Sequence, residues 1–274
     1  MNLRRFLAVT LAAVFWLPAA VWAGEWGYEG QTGVYPPDEW GHVAPACDGS
    51  RQSPIDIVTA EVQPVDHVGL RIHYKPDTVS VLNNGHAVTA YPDDRYIEVE
   101  GADGTWERYR LVQFHFHTLS EHTVDGRHFD MEMHLVHAND AYLAGQPGGK
   151  LSVIGVFIRK GRENKALRDI FDDLPEAVHH EAGEGEMLTA RVPVDFDKLL
   201  PRKSAVFAYP GSLTTPGCDE IVSWFVFERP IQMSVAQIEA YRELYRDPET
   251  GERYDTNRPT QPLNGRVVSY GPLD

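Results

Sequence analysis

The segment of residues 113–137 constrains the fold of this 274-residue chain more than any other, because it begins with a strict alternation of polar and aromatic side chains. Gln113, His115 and His117 alternate with two phenylalanines. Successive side chains of an extended strand point to opposite faces, so the three polar groups leave one face and the two aromatic rings leave the other. The segment therefore predicts a strand with one chemically active face and one core face.

A second run with the same alternation spans residues 131–137. Glu132 and His134 share one parity, and mostly apolar side chains take the other. If the two runs are neighbours in an antiparallel sheet, joined by the polar connection between them, His115, His117 and His134 converge on one point. The sequence therefore predicts that three histidines from two strands form one site.

Three neutral imidazoles with an open fourth position are the ligand set of a catalytic Zn²⁺ ion. Gln113 and Glu132 each lie two residues before one of these histidines, on the same strand face. From there each could hold the second ring nitrogen of a ligand, which fixes the tautomer and the orientation of the ring. A lone His-x-His pair is more often hydrogen-bonded without a metal, and the matched parity of His134 and Glu132 is what favours zinc.

Three blocks of this segment resemble the signature of the α-carbonic anhydrases, and five blocks elsewhere resemble the same family, in the family's order. The blocks are Trp26–Tyr28, Arg51–Ile57, Asn83–His86, Gln113–His117, Ser120–Gly126, Glu132–His137, Ser212–Gly217 and Asn257–Pro259. The short connection at residues 118–120 resembles the exported bacterial branch. The resemblance covers nearly the whole chain after residue 23, and it implies a zinc enzyme that reversibly hydrates carbon dioxide to bicarbonate and a proton.

The resemblance also implies roles for individual residues. His86 matches the proton shuttle, which suits an imidazole because its ordinary pKa of about 6.5 lets it take and give protons at neutral pH. Thr214 and Glu121 match the gatekeeper pair, in which the carboxylate accepts the threonine hydroxyl proton and leaves the threonine oxygen as an acceptor only. The residues implied to line the carbon dioxide pocket are Val136, Val153, Leu213, Thr215 and Trp224.

Hydrophobic periodicity predicts a mainly β chain. The strand-like runs are Leu70–Tyr74, Thr78–Leu82, Ala87–Tyr91, Tyr96–Glu100, Trp106–His117, Met131–His137, Leu151–Arg159, Ser204–Ala208 and Ile221–Phe227. Helices are predicted only at residues 164–174 and 234–246, and the second begins with a capping box formed by Ser234 and Gln237. We expect a single domain over residues 24–274, because no linker or repeat divides it. The resemblance implies a large twisted mixed sheet, mostly antiparallel, with a few short surface helices.

The N-terminus predicts a signal peptide. Arg4 and Arg5 precede an apolar run, Phe6–Ala20, and Val21–Ala23 fits a cleavage site of small residues. Cleavage after Ala23, leaving residues 1–23 behind, would give an exported periplasmic or extracellular protein. An uncleaved membrane anchor is the alternative, although the apolar run is short for a full span.

The formal net charge of −15 disfavours nucleic acid and anionic membrane surfaces as partners. Cys47 and Cys218 are the only cysteines, and export to an oxidising compartment favours one disulfide between them. Bacterial members of the resembled family commonly join cysteines at these two places. The resemblance implies carbon dioxide, water and bicarbonate as partners; homodimers are common in that branch, and no surface pattern in the sequence decides the oligomeric state.

Two other functions fit parts of the pattern. His115, His117, Glu121 and His134 also fit the first motif of a cupin-type iron or manganese protein, with Glu121 as fourth ligand, although the glycine spacing and the second motif of cupins are missing. A non-catalytic binding module on the same fold is the other alternative. Such relatives typically lose the liganding histidines that this chain keeps, and the identity of the metal separates the first alternative from zinc chemistry.

Overall fold

The computed structural model describes residues 25–176 and 191–274. The predicted signal peptide, residues 1–23, lies outside the described residues. In the part that is described, no helix is both long enough and apolar enough to cross a membrane.

Strands dominate the described residues. They are β1 (Asp56–Ile57), β2 (Gln63–Pro64), β3 (Leu70–His73), β4 (Asp77–Asn83), β5 (Val88–Tyr91), β6 (Tyr96–Glu100), β7 (Trp106–His117), β8 (Thr123–Val124), β9 (Met131–Asn139), β10 (Leu151–Lys160), β11 (Val192–Val194), β12 (Val206–Gly211), β13 (Val222–Met233) and β14 (Ser269–Gly271). The α-helices are α1 (Asp140–Leu143), α2 (Arg168–Phe171) and α3 (Val235–Glu243), and 3₁₀ helices span Pro37–His42, Pro45–Asp48 and Phe196–Lys198.

Twelve of these strands form one mixed sheet. Its main order is β11-β4-β5-β7-β9-β10-β13-β12-β14-β2, and β6 joins β3 to β7 at the side. Most neighbours are antiparallel, whereas β10 with β13 and β14 with β2 are parallel. β1 and β8 form a separate two-stranded parallel pair. The prediction of a mainly β chain built on a large mixed, mostly antiparallel sheet with few helices is confirmed.

The centre of the sheet brings the two alternating runs together. β7 pairs antiparallel with β9, which places His115 opposite His134 and His117 opposite Glu132. Every residue of β9 is buried, because β7 and β10 flank it and both of its faces are covered. The antiparallel pairing on which the predicted convergence of the histidines depends is therefore present, and the parity of each residue decides which face it occupies.

A hydrophobic core lies on each face of the sheet. The phenylalanines that alternate with the histidines of β7 are buried in the larger cluster, together with Leu135 of β9. The opposite face, which carries the histidines, contains a smaller cluster that includes Val136, Val153 and Trp224. The sheet thus separates a purely structural core from an apolar wall beside the polar site.

The predicted helix at residues 164–174 is largely absent, since α2 covers only four of its residues. The side chain of Asn164 accepts a hydrogen bond from the backbone two residues later, and its own N–H donates to Oε1 of Gln237 at 2.9 Å. These bonds hold the start of the segment in a turn against α3 and take the place of a helical turn. The capping box of α3 is present as predicted, with reciprocal bonds between Ser234 and Gln237.

A disulfide joins Cys47 to Cys218, with 4.9 Å between the Cα atoms and a sequence separation of 171. Both half-cystines pack with Tyr28 and Trp40 in a third, small hydrophobic cluster. The bond ties the N-terminal segment to the loop that follows β12, and that loop contains Thr214.

Candidate metal centre

β7 and β9 bring three imidazole rings to one point. His115, His117 and His134 each offer one potential ligand atom, and these atoms lie within 4.8 Å of one another. The ring centroids are 4.7–5.3 Å apart. His117 and His134 are buried and His115 is half-buried, so the cluster is open on one side only.

Each of the three rings is held by a hydrogen bond through one nitrogen to an oxygen acceptor. The bonds are His115 Nδ1 to Gln113 Oε1 at 2.8 Å, His117 Nδ1 to the Thr256 carbonyl at 2.6 Å, and His134 Nε2 to Glu132 Oε1 at 2.9 Å. An oxygen that accepts places the proton on the bonded nitrogen, so the other nitrogen of each neutral ring carries a lone pair. Gln113 and Glu132 thus lie where the sequence predicts them.

The residues present fit a bound metal ion. Nε2 of His117 is buried and has no hydrogen-bond partner among the described residues, which is unusual for a buried polar atom unless an ion or water completes it. Burial lowers the pKa of His115 well below its ordinary value, and the neighbouring His117 and His134 lower it further. Burial also lowers the pKa of His117. His115 and His117 are therefore held in the neutral form that a metal ligand needs.

Glu132 lies behind the cluster and contacts two histidines at once. Its carboxylate accepts from His122 through the backbone N–H at 2.8 Å and through Nδ1 at 2.7 Å, in addition to His134. Burial alone would raise the pKa of Glu132, but these two histidines outweigh burial and hold its pKa far below the ordinary range.

A second group, formed by His122, Glu132 and His134, has ligand atoms at similar spacing. These atoms already bond to one another, and the remaining nitrogen of His122 is 2.6 Å from the Tyr209 hydroxyl oxygen. The second group is therefore a hydrogen-bonded network, and the lone pairs for a metal belong to the first group.

Glu121 lies next to the metal cluster and is fully buried. Its Oε1 accepts from the backbone N–H of Arg258 at 2.8 Å. Its Oε2 lies 3.5 Å from Nε2 of His117 and 3.7 Å from Nδ1 of His134, and it has no hydrogen-bond partner in the described part of the chain. Thr214 is also buried, but its hydroxyl does not donate to Oε2 in this structure.

His86 follows the turn between β4 and β5. Oδ1 of Asn84 accepts from its backbone N–H at 3.0 Å. The imidazole lies parallel to the indole of Trp26, with ring centroids 3.7 Å apart and 9° between the planes. The N-terminal segment therefore contacts the ring for which the resemblance implies proton transfer.

The residues implied to form the carbon dioxide pocket lie on the histidine face of the sheet. Val153 pairs with Val136 on one side and with Trp224 on the other. The indole of Trp224 packs edge-on against the ring of His134, 4.8 Å between centroids. Leu213 packs against the same cluster, and Thr215 is half-buried in the loop after β12.

Two contributors to the site were missed by reasoning from the sequence. The Thr256 carbonyl, which holds His117, is a backbone group and leaves no side-chain signal. The backbone N–H of Arg258, which holds Glu121, leaves none either. The block Asn257–Pro259 contains Arg258 and directly follows Thr256, and it resembles the family without indicating what its backbone does.

Comparison with known proteins agrees with this geometry. Residues 35–271 match the family described as eukaryotic-type carbonic anhydrase. The chain is 35% identical over 259 residues to a carbonic anhydrase of Nostoc sp., which covers 92% of this chain and 88% of the relative. It is 35% identical over 265 residues to a carbonic anhydrase of Klebsiella pneumoniae, covering 94% and 96%.

A solved structure is similar over the same range. It is the α-carbonic anhydrase of Thermovibrio ammonificans in complex with the inhibitor sulfanilamide, with a TM-score of 0.73, 39% sequence identity, and coverage of 90% of this chain and 99% of that one. A mixed sheet that gathers three histidines on one face, together with these matches, defines an enzyme of the carbonic anhydrase class. The chain belongs to the eukaryotic-type carbonic anhydrase family. The family match excludes the cupin alternative, because it accounts for nearly all of the described chain.

Proposed function

We propose that this enzyme holds Zn²⁺ through His115, His117 and His134 and catalyses the reversible hydration of carbon dioxide to bicarbonate and a proton. The observation that carries the proposal is the set of three rings, each fixed by a hydrogen bond through one nitrogen, with one potential ligand atom from each ring within 4.8 Å of the others. Family membership supports the same reaction.

Zinc held by the three histidines would acidify a water to a pKa of ~7, the value known for carbonic anhydrases as a class. The chain's own residues then orient and admit the reactants. Oε2 of Glu121 has no hydrogen-bond partner among the described residues, so it accepts the hydroxyl proton of Thr214 during the reaction. Thr214 is left as an acceptor only and selects one orientation of the nucleophile.

The apolar wall suits carbon dioxide, which is neutral, linear and a weak hydrogen-bond acceptor. Val136, Val153, Leu213 and Trp224 form a dry surface beside the histidines, and Thr215 adds one polar group at its edge. His86 transfers the proton away from the site. Its stacking on Trp26 supports this role, because the contact holds the ring in one orientation.

We infer that the mature protein is residues 24–274 and works in the periplasm or outside the cell. The N-terminal sequence pattern and the Cys47–Cys218 disulfide support export, since disulfides persist in oxidising compartments. Mass determination of the protein isolated from its own cells tests the cleavage: a first residue other than Gly24 would contradict the predicted site.

The direct test of the function is carbon dioxide hydration by purified residues 24–274, with metal analysis of the same sample. We expect one zinc per chain, loss of hydration on chelation, and recovery when zinc is added back. Hydration that persists in fully zinc-free protein, or is absent from fully zinc-loaded protein, would contradict the proposal.

A further inference from the structure

A continuous hydrogen-bonded path leads from the histidine cluster to the loop that contains Thr214. Its steps are His134 Nε2 to Glu132 Oε1 (2.9 Å), Glu132 Oε1 to His122 Nδ1 (2.7 Å), His122 Nε2 to the Tyr209 hydroxyl (2.6 Å), Tyr209 to Ser53 Oγ (3.0 Å), and Ser53 Oγ to the Ser212 N–H (3.1 Å). All six residues are buried.

Ser53 is the point where this path meets the loop. Its Oγ accepts from the N–H of Ser212, and its own N–H donates to Oγ of Ser212 at 2.9 Å, so the two serines form a reciprocal pair. Gly211, which ends β12, lies so close that a Cβ there would overlap Ser53 Oγ. The backbone of residues 211 and 212, just before Thr214, thus contacts the Ser53 hydroxyl directly.

The surrounding contacts hold Ser53 itself in place. The guanidinium of Arg258, which is buried, donates to the Ser53 carbonyl at 2.9 Å and to Oε1 of Gln52 at 2.8 Å. The backbone N–H of the same arginine donates to Glu121. Ser53 is therefore bonded directly to the Thr214 loop and is connected to Glu121 through Arg258. The relative position of Glu121 and this loop decides how the nucleophile is oriented.

We propose that Ser53 is a positioning residue, which sets the position of residues 211–214 relative to the histidine cluster through Tyr209 and His122. The inference rests on the proposed function, because the position of Thr214 matters only if Thr214 orients the nucleophile. Removing the hydroxyl leaves the Ser212 N–H without its buried acceptor and leaves the Tyr209 hydroxyl with His122 alone, and the loop shifts to satisfy the Ser212 N–H.

The first test needs no activity. In zinc-loaded Ser53→Ala protein, hydrogen–deuterium exchange of the Ser212 amide, followed by NMR, should rise about ten-fold through loss of its hydrogen bond, while the amides of β13 stay as in the wild type. Ser152→Ala is the matched control, because Ser152 is equally buried but its Oγ has no hydrogen-bond partner among the described residues. Faster exchange throughout the sheet would show a merely structural role and overturn the proposal, as would unchanged exchange at Ser212.

The second test measures function. Ser53→Ala should lower kcat/KM for carbon dioxide by about ten-fold or more, since small displacements at a site cost this much. Its affinity for zinc, measured by competition with a chelator, should stay within about three-fold of the wild type, because the ligands and their direct partners remain. Full kcat/KM would overturn the inference, and so would loss of zinc in proportion to loss of activity.

Tyr209→Phe is the alternative variant if Ser53→Ala does not fold. It removes the hydroxyl that links Ser53 to His122 and leaves the hydrogen bonds between Ser53 and Ser212 in place. It should lower kcat/KM with zinc retained, and unchanged kcat/KM would overturn the inference. Failure of the proposed function is recognised separately, by zinc-loaded wild-type protein that does not hydrate carbon dioxide.

Discussion

The side chains at this site have two tasks. Some bind the metal, and others orient a reactant. Thr214 belongs to the second task, since three histidines supply the ligand atoms and a threonine hydroxyl is not a usual zinc ligand. We predict that Thr214→Ala keeps its full zinc content and loses roughly 100-fold in kcat/KM, the size of effect found when one preorganised hydrogen-bonding group is removed. Stopped-flow hydration and metal analysis of the same preparation measure both quantities.

The matched control is Thr105→Ala, because Thr105 is an exposed threonine in the turn between β6 and β7. It should behave as the wild type. A Thr214→Ala protein that loses its zinc would show instead that the threonine supports coordination.

Replacement of His86 tests whether a side chain transfers the proton away from the site. A group with a pKa of ~7 releases its proton directly to water at no more than roughly 10³–10⁴ per second, because diffusion limits the reverse reaction, the return of the proton, to ~10¹⁰ M⁻¹ s⁻¹. A faster enzyme must use a nearby base. We predict that His86→Ala lowers kcat by roughly ten-fold in dilute buffer, leaves kcat/KM nearly unchanged and recovers kcat when imidazole is added. Unchanged kcat in dilute buffer would contradict a shuttle role.

At the scale of the strands, parity was the most informative signal in the sequence. Given the antiparallel pairing of β7 with β9, it predicted the convergence of His115, His117 and His134, because a residue's face in a strand follows from its position alone. Strands of two or three residues, such as β1 and β11, were not predicted, since so few residues show no alternation. The helix predicted at residues 164–174 forms only in part, although its apolar residues have helical spacing, because hydrogen bonds to α3 hold the start of the segment in a turn.

A buried histidine on the core face of β9, His137, makes the free energy of unfolding depend on pH. His137 is fully buried there; its Nδ1–H donates to the Ser152 carbonyl at 3.1 Å, and the Tyr74 hydroxyl lies 2.7 Å from Nε2. Burial lowers the pKa of His137 to about 3. The ordinary pKa is ~6.5, so between these values the unfolded chain binds a proton that the folded chain does not. Stability is therefore full above pH ~6.5 and falls as the pH drops towards 3.

The expected slope from this one residue is ~1.4 kcal/mol per pH unit within that window. Urea unfolding of the wild type and of His137→Gln at pH 7, 6 and 5 measures it, and the variant should show a slope shallower by this amount. Parallel pH profiles for the two proteins would contradict the assignment of a neutral, buried His137.

Across the whole molecule, the Cys47–Cys218 disulfide links positions 171 residues apart. Loss of a native bridge of this kind costs ~2–5 kcal/mol, mainly because the unfolded chain gains freedom. We predict that reduction lowers the free energy of unfolding by this amount while zinc remains bound, since neither cysteine contacts the three histidines. Urea unfolding with and without reductant, with zinc measured in the folded protein, checks this; identical midpoints would contradict it.

The central claim is that His115, His117 and His134 together hold one zinc ion, and zinc stoichiometry tests it most directly. Each histidine is replaced singly by alanine, with His73→Ala as the control, because His73 lies exposed on β3 outside the cluster. We predict about one zinc per chain for the wild type and the control, and loss of most bound zinc in each of the three variants. Full zinc in any of the three, or its loss on replacing His122 or His137 instead, would contradict the account.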